Sequence, residues 1–315
     1  MKQFKDMVPV DPREGSNIEC YRYLCSHWME SLQNAELKLA DVNEFNDIFD
    51  GRGGCVNELR REAIIEILAS QISDNFNFNK EKALANLKKK LQIPKQVIGA
   101  ATEVVRQSIH DRQMAGELKV ICFAKPENRN TDALMWSHYA NHWKGVRLGF
   151  SLLYDIHKEI DFKELTTPYI LEPIKYSAIR PTLDLSQLTS LVNDPIYIDF
   201  FRKAIITKSI EWSYEAEWRL LVDRVRAVQR FVNNKLMFFW KFHPLLLKTI
   251  DLGPEIDKEH ESELVNFVKL NYPHVTVNRV VLDQVQYRHD YKLIYGRNSV
   301  AGQEGDDSIF DTKVT

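Results

Sequence analysis

The sequence predicts an α+β fold: a curved, mixed sheet with mainly antiparallel strands and a helical insertion. Three observations point to it. Seven short segments, "LKVICFAK", "KGVRLGFSL", "EPIKYS", "EWRLLVD", "LMFFWKF", "LKTIDLG" and "VTVNRVVLD", are rich in β-branched or aromatic residues and bounded by turn-forming ones. Helical patterns near 133–144, 196–210 and 257–271 interrupt them irregularly, not as a βαβ repeat. Between 56 and 115 the apolar spacing is helical throughout.

Taken in order, residues 1–17 are polar and marked by Pro and Gly, so a flexible N-terminus is expected there. "IECYRYLCSHWMESL" opens the structured part as a short aromatic strand or the start of a helix. Leu37 and Leu39 alternate, and the Asn, Asp and Gly residues after them give a strand followed by a loop at 41–54. Three helices follow, on the stripes Leu59, Ala63, Ile67 and Leu68; then Leu84, Leu87 and Leu91; then Val97, Ala101, Val104, Val105 and Ile109, the last entered at Pro94. "LKKKLQIPK" keeps its leucines in helical register and reads as the solvated face of an amphipathic helix. Strands then dominate, and 18–299 is expected to form one domain, with the polar 300–315 a mobile tail.

Composition narrows the function classes. A chain of 315 residues with 44% hydrophobic residues buries a core without metals or cross-links. Lys and Arg total 42 against 44 for Asp and Glu, so no global field draws the molecule to nucleic acid or an anionic membrane. The four cysteines lack zinc-knuckle spacing and fit reduced thiols. Neither a signal peptide nor an apolar run of about 20 residues is visible, so a cytoplasmic protein without membrane contact is expected.

Two stretches carry candidate chemistry. In "ALMWSHYANHWKGVRLGF", Asp132 is a candidate N-cap and Gly145 a candidate stop for a helix over 133–144. Trp136, Tyr139 and Trp143 share its broad apolar face, with His138 and His142 one turn apart at the edge. Metal spacing is available, but Tyr139 stands where a metallohydrolase helix carries its glutamate base. A packed and a surface histidine outweigh a metal pair. Ser137, His138 and Tyr139 would put polar tips on the wall of a small-molecule pocket. In "IEWSYEAEWRLLVD", Glu215, Glu217 and Arg219 are two apart and share a strand face, either as an ion-paired strand end or as a pair of working carboxylates. Arginines 219, 224, 226 and 230 could form a phosphate-facing strip, although surface solvation or local pairing is the commoner use.

"MWSHYANHWKGVRLGF" and "EWSYEAEWRLL", with "YRY" and "FNDIFDG" before them, resemble the bacterial family known as domain of unknown function 2971, over roughly residues 20–290. The order of motifs is also similar to that of mono-ADP-ribosyltransferases of the Arg-Ser-Glu class. That resemblance implies a split sheet, NAD as substrate and an unknown protein or nucleic-acid acceptor. It matches Arg22 to the first-strand arginine, the "ICFAK" strand to the serine strand, and Glu215 and Glu217 to the Glu-x-Glu. It implies that Glu217 stabilises the oxocarbenium-like centre, Glu215 handles the nucleophile's proton, Arg22 binds pyrophosphate, and Tyr139 and Trp136 close on the nicotinamide. The chain departs from the class at Cys122-Phe123-Ala124, where no hydroxyl ends the second strand; Ser137 or His138 would have to replace it. By the same analogy the protein would be a bacterial toxin or phage-defence effector with a partner in that system. A non-catalytic nucleotide- or partner-binding module is the second reading. A metal-dependent nuclease using His138, His142 and the carboxylates is the third.

Overall fold

The computed structural model describes residues 16–76, 79–125, 129–154, 167–188 and 195–296. In chain order the elements are β1 (Ser16–Leu24), α1 (Trp28–Asn34), β2 (Glu36–Leu39), β3 (Gly54–Val56), α2 (Arg61–Phe76), α3 (Lys80–Lys90), α4 (Lys95–Ala115), β4 (Leu118–Ala124), α5 (Arg129–Tyr139) and β5 (Val146–Tyr154). They continue with β6 (Ile170–Pro173), β7 (Lys175–Ser177), β8 (Thr182–Asp184), α6 (Pro195–Ile205), β9 (Thr207–Ser209), β10 (Glu217–Asp223), β11 (Val228–Val232), β12 (Lys235–Lys241), β13 (Leu247–Leu252), α7 (Lys258–Asn271), β14 (Thr276–Leu282) and β15 (His289–Tyr295).

The architecture is α+β. Eight strands form an open sheet in the order β15-β14-β13-β5-β1-β4-β10-β6. Only β13 and β14 run parallel within it, a pairing that needs a crossover connection between them, here α7. β5 is a near-continuous apolar run because it is covered on both faces. It pairs with β1 over nine residues, from Ser16↔Tyr154 to Leu24↔Val146. By contrast, the described pairing of β1 with β4 is the single register pair Tyr21↔Ala124. A seam therefore runs through the middle of the sheet.

One face of the sheet packs on an aromatic core. Phe123, Phe150, Trp240 and Phe242 meet edge-on or tilted, with ring centroids 5.1 Å apart at the closest, between Phe150 and Phe242. The helical insertion has a separate apolar cluster, in which Leu59, Ala63, Ile64, Val105 and Ile109 pack against Leu183, Tyr197 and Phe200.

Several expectations are corrected. β1 begins at Ser16, inside the stretch read as a flexible 1–17, while residues 1–15 and the tail 300–315 lie outside the described residues. Val97 and Val104 are exposed; α4 turns Ile98 and Thr102 inward in their place. The strand pattern missed β3, β8, β11 and β15, and the helix expected over 196–210 ends at Ile205 and gives way to β9. The helix expected over 133–144 runs from Arg129 to Tyr139, so Asp132 lies in its first turn and is not its cap. It stops because Asn141, His142 and Trp143 all take left-handed backbone angles. The turn brings Gly145 so close to the backbone oxygens of Leu24 and Ala140 that no side chain fits there. Three successive left-handed non-glycine residues are a costly conformation that the surrounding packing must hold.

Candidate functional site

The seam between β1 and β4 opens into a cleft of about 180 Å³. Its floor comes from three neighbouring strands, in register where Tyr21 pairs with Ala124 and Ala124 with Glu217. Arg22 reaches across the seam and donates from Nη1 to the Cys122 carbonyl at 2.8 Å, satisfying an oxygen that the broken ladder leaves unpaired. One wall is Met135 and Tyr139 of α5, and the roof is the loop between β2 and β3, which supplies Phe45, Asn46 and Asp50.

Five charged side chains interlock at this cleft, and four of them, Asp50, Lys208, Glu215 and Glu217, line it. A tight turn, ending in left-handed Ala216, delivers Glu215 and Glu217 to the start of β10. Arg219 is fully buried: its Nε donates to Glu217 Oε1 at 2.6 Å, its Nη2 to Asp50 Oδ1 and Oδ2 at 2.7 and 2.6 Å, and its Nη1 to the Ile205 carbonyl at 2.6 Å. Lys208, on β9, donates from Nζ to Glu215 Oε2 at 2.6 Å and Glu217 Oε2 at 2.9 Å, and lies 3.7 Å from Asp50 Oδ2. The Tyr139 hydroxyl donates to Glu215 Oε1 at 2.5 Å.

The environments of the two glutamates push them apart. Burial works against the charged form of both. At Glu217 the attraction of Arg219 and Lys208 outweighs it and holds the carboxyl down at about 2. At Glu215 burial prevails, reinforced by the neighbouring Glu217 charge and opposed by Lys208, and the carboxyl is raised above its ordinary value. Asp50 is raised as well, chiefly by burial, with Arg219 opposing. Burial also raises the Cys122 thiol, so the cleft cysteine is a neutral thiol and not a thiolate.

Of the residues singled out from sequence, Arg22, Tyr139, Glu215 and Glu217 line this cleft. Trp136, Ser137 and His138 do not. Trp136 is fully buried, edge-on to Tyr23 at 5.5 Å and stacked on Trp143 at 5.8 Å, so it cannot close on a ligand; Ser137 is half-buried and His138 is exposed, both outside the lining. Because α5 ends at Tyr139, His138 and His142 are not a helical pair, and the described residues contain no group of three or more His, Cys, Asp or Glu able to hold a metal ion. None of the arginines at 219, 224, 226 and 230 lines the cleft: Arg219 is buried, Arg230 pairs with Glu36, and Arg224 lies 5.3 Å from the Phe238 ring centroid.

Asp50 and Lys208 complete the cluster and were not marked as site residues by any sequence pattern. Asp50 sits in "FNDIFDG", in the loop between β2 and β3. Lys208 has no local signal; it becomes visible only once β9 is folded beside β10.

A second buried charged cluster lies across β1 from the first. Asp132 accepts from Arg147 Nη1, with both oxygens at 3.1 Å, from the hydroxyls of Tyr23 and Tyr291, and lies 2.8 Å from His289 Nε2. Arg147 also donates from Nε to Asp251 at 2.9 Å and is flanked by the rings of Tyr21 and Tyr291 at 4.2 and 4.4 Å.

Residues 135–220 match the family model described as "Protein of unknown function (DUF2971)", the stretch that contains the end of α5, β5 and the Glu215-x-Glu217 turn. No curated protein and no solved structure matches the chain. Among the described residues, no helix is long and apolar enough to cross a membrane.

Proposed function

We propose that the cleft takes the nicotinamide-ribose end of NAD and transfers ADP-ribose to an acceptor, or to water, releasing nicotinamide. One observation supports this reading above the others: Arg22, the end of the "ICFAK" strand and Glu217 lie on three adjacent strands around one hollow, although about a hundred residues of chain separate each from the next. The hollow is smaller than the roughly 300–1,000 Å³ of common ligand sites, so it suits one end of a dinucleotide, with the remainder outside.

In this reaction the bond between the ribose C1′ and the pyridinium nitrogen breaks, and its electron pair leaves with neutral nicotinamide. Positive charge then develops on the ribose. The cluster of Asp50, Glu215 and Glu217 against Lys208 and Arg219 carries one net negative charge when all are ionised, and Glu217 stays ionised at every physiological pH. Glu215, with its raised carboxyl, suits the second role, taking the proton that the nucleophile loses as it bonds to C1′. Arg22 at the cleft supplies a cation for pyrophosphate and Tyr139 a ring beside the nicotinamide.

Purified protein should release nicotinamide from NAD, with or without added protein or nucleic-acid acceptor. Glu217→Gln should lower the rate at least a hundredfold, and Glu215→Gln should lower transfer more than it lowers NAD affinity. Equal release by wild type and Glu217→Gln would defeat the assignment. If the protein acts as a cytoplasmic toxin or defence effector, its expression in bacteria should deplete NAD, and the Glu217→Gln form should not.

A non-catalytic nucleotide- or partner-binding module is favoured by a different observation: both Glu217 oxygens already hold cations, and Ala124 offers no hydroxyl. That reading expects NAD to raise the melting temperature without nicotinamide release.

A further inference from the structure

Several cations outside the cleft are matched by acids. Lys38 and Lys235 pair with Glu44, Lys119 with Asp41, Lys203 with Asp199, Arg230 with Glu36, Arg279 with Glu261 and Arg288 with Asp283. The junction of α3 and α4 is different. Residues 80–95 hold six lysines and one acid, Glu81, in a chain whose net charge is −2. Every one of those lysines is exposed, and among the described residues none makes an ion pair. Ala83, Leu84 and Leu87 face inward, which turns Lys88, Lys89 and Lys90 out to solvent.

Arg61, which lies 3.9 Å from Glu62, borders the patch. Its Nη2 donates to the carbonyls of Lys88 and Leu91, at 3.2 and 2.6 Å, fastening the start of α2 to the end of α3. The C-terminal end of α3 attracts cations and offsets part of their mutual repulsion. One or two lysines would suffice for that. Six lysines against one acid within sixteen residues are a local concentration of positive charge in a chain of net charge −2.

We propose that this face docks on nucleic acid through its phosphodiester backbone. The chemistry favours phosphates over a bilayer, because the large hydrophobic residues between 80 and 95 are not exposed, and an interfacial helix needs an outward apolar face. Lysines separated by Asn86, Gln92 and Gln96 present point charges and hydrogen-bond donors, the groups that bind backbone without reading sequence. The surface is independent of the NAD reading and stands or falls separately.

The test is fluorescence anisotropy of the full chain with a labelled single-stranded DNA, its duplex and an RNA of the same sequence. The triple variant Lys88→Gln, Lys89→Gln, Lys90→Gln is measured in parallel, with Arg288→Gln as the control. Binding should be tight at about 50 mM salt and fall steeply by about 200 mM. The triple variant should bind at least tenfold more weakly with a shallower salt slope, while Arg288→Gln binds as wild type. Unchanged melting of the triple variant would show that its fold is kept. No binding at low salt, equal binding by the triple variant, or capture by phosphatidylserine vesicles but by none of the three nucleic acids would each overturn the proposal.

Discussion

The clusters on either side of β1 bury similar groups and differ in what lies in front of them. Around Asp132 and Arg147 every polar atom described has a partner: two tyrosines, a histidine and Asn278 fill the remaining positions, and aromatic rings seal the guanidinium. Around Glu215 and Glu217, three carboxylates face two cations, one carboxyl is held down and two are pushed up, and a hollow opens beside them. The first arrangement fixes structure. The second leaves an excess charge beside open space, which is the condition under which a buried carboxylate can act on something that enters.

The largest effect should come from breaking the sealed cluster. Arg147→Met leaves Asp132 and Asp251 buried without their shared cation, and removing one partner of such a group costs about 3–5 kcal/mol. Chemical denaturation should show a loss of that size. A loss below about 1 kcal/mol would mean that water reaches the cluster and that it is not sealed.

A smaller, pH-dependent effect sharpens the same contrast. Burial works to raise the Asp132 carboxyl, but its bonds from His289 and the Arg147 charge outweigh that and hold it at about 2. A folded-state value below the unfolded one means stability that is complete above about pH 4 and is lost as pH falls toward 2, worth about 2 kcal/mol. Asp132→Asn should therefore lower the melting temperature at neutral pH and flatten its further decline between pH 4 and 2. The cleft cluster gives no comparable slope, since its shifts oppose one another.

Much of this frame was legible in the chain. The seven strand segments and the three helices of the insertion follow from apolar period, and a period of two placed Glu217 and Arg219 on one strand face, whereas Glu215, expected on that face, lies in the turn before left-handed Ala216. β11 had a signal that went unread: Asn233 and Asn234, both left-handed, make the two-residue turn of its hairpin with β12. The end of α5 did not, for nothing local requires Asn141, His142 and Trp143 to leave the helix; Trp143 does so to stack on Trp136 and meet His289 edge-on. The same limit hid Lys208 and Asp50. Their roles arise from contacts with Glu215, Glu217 and Arg219, and Asp50 meets Arg219 across 169 positions of sequence.

Glu215→Gln should have the smallest effect on stability, and that is its value. Removing one carboxylate leaves Asp50 and Glu217 facing Lys208 and Arg219, two against two, so no charge is orphaned. The amide oxygen can still accept from Lys208 or Tyr139. The wild-type carboxyl, raised in the folded state, costs stability as pH climbs from the ordinary carboxylate range through its folded value, and the amide lacks that cost. The variant should thus melt within a few degrees of wild type near pH 4 and hold level or gain at pH 7. A drop as large as that of Arg147→Met would make the cleft cluster another structural knot, with Glu215 needed for folding and not free for chemistry.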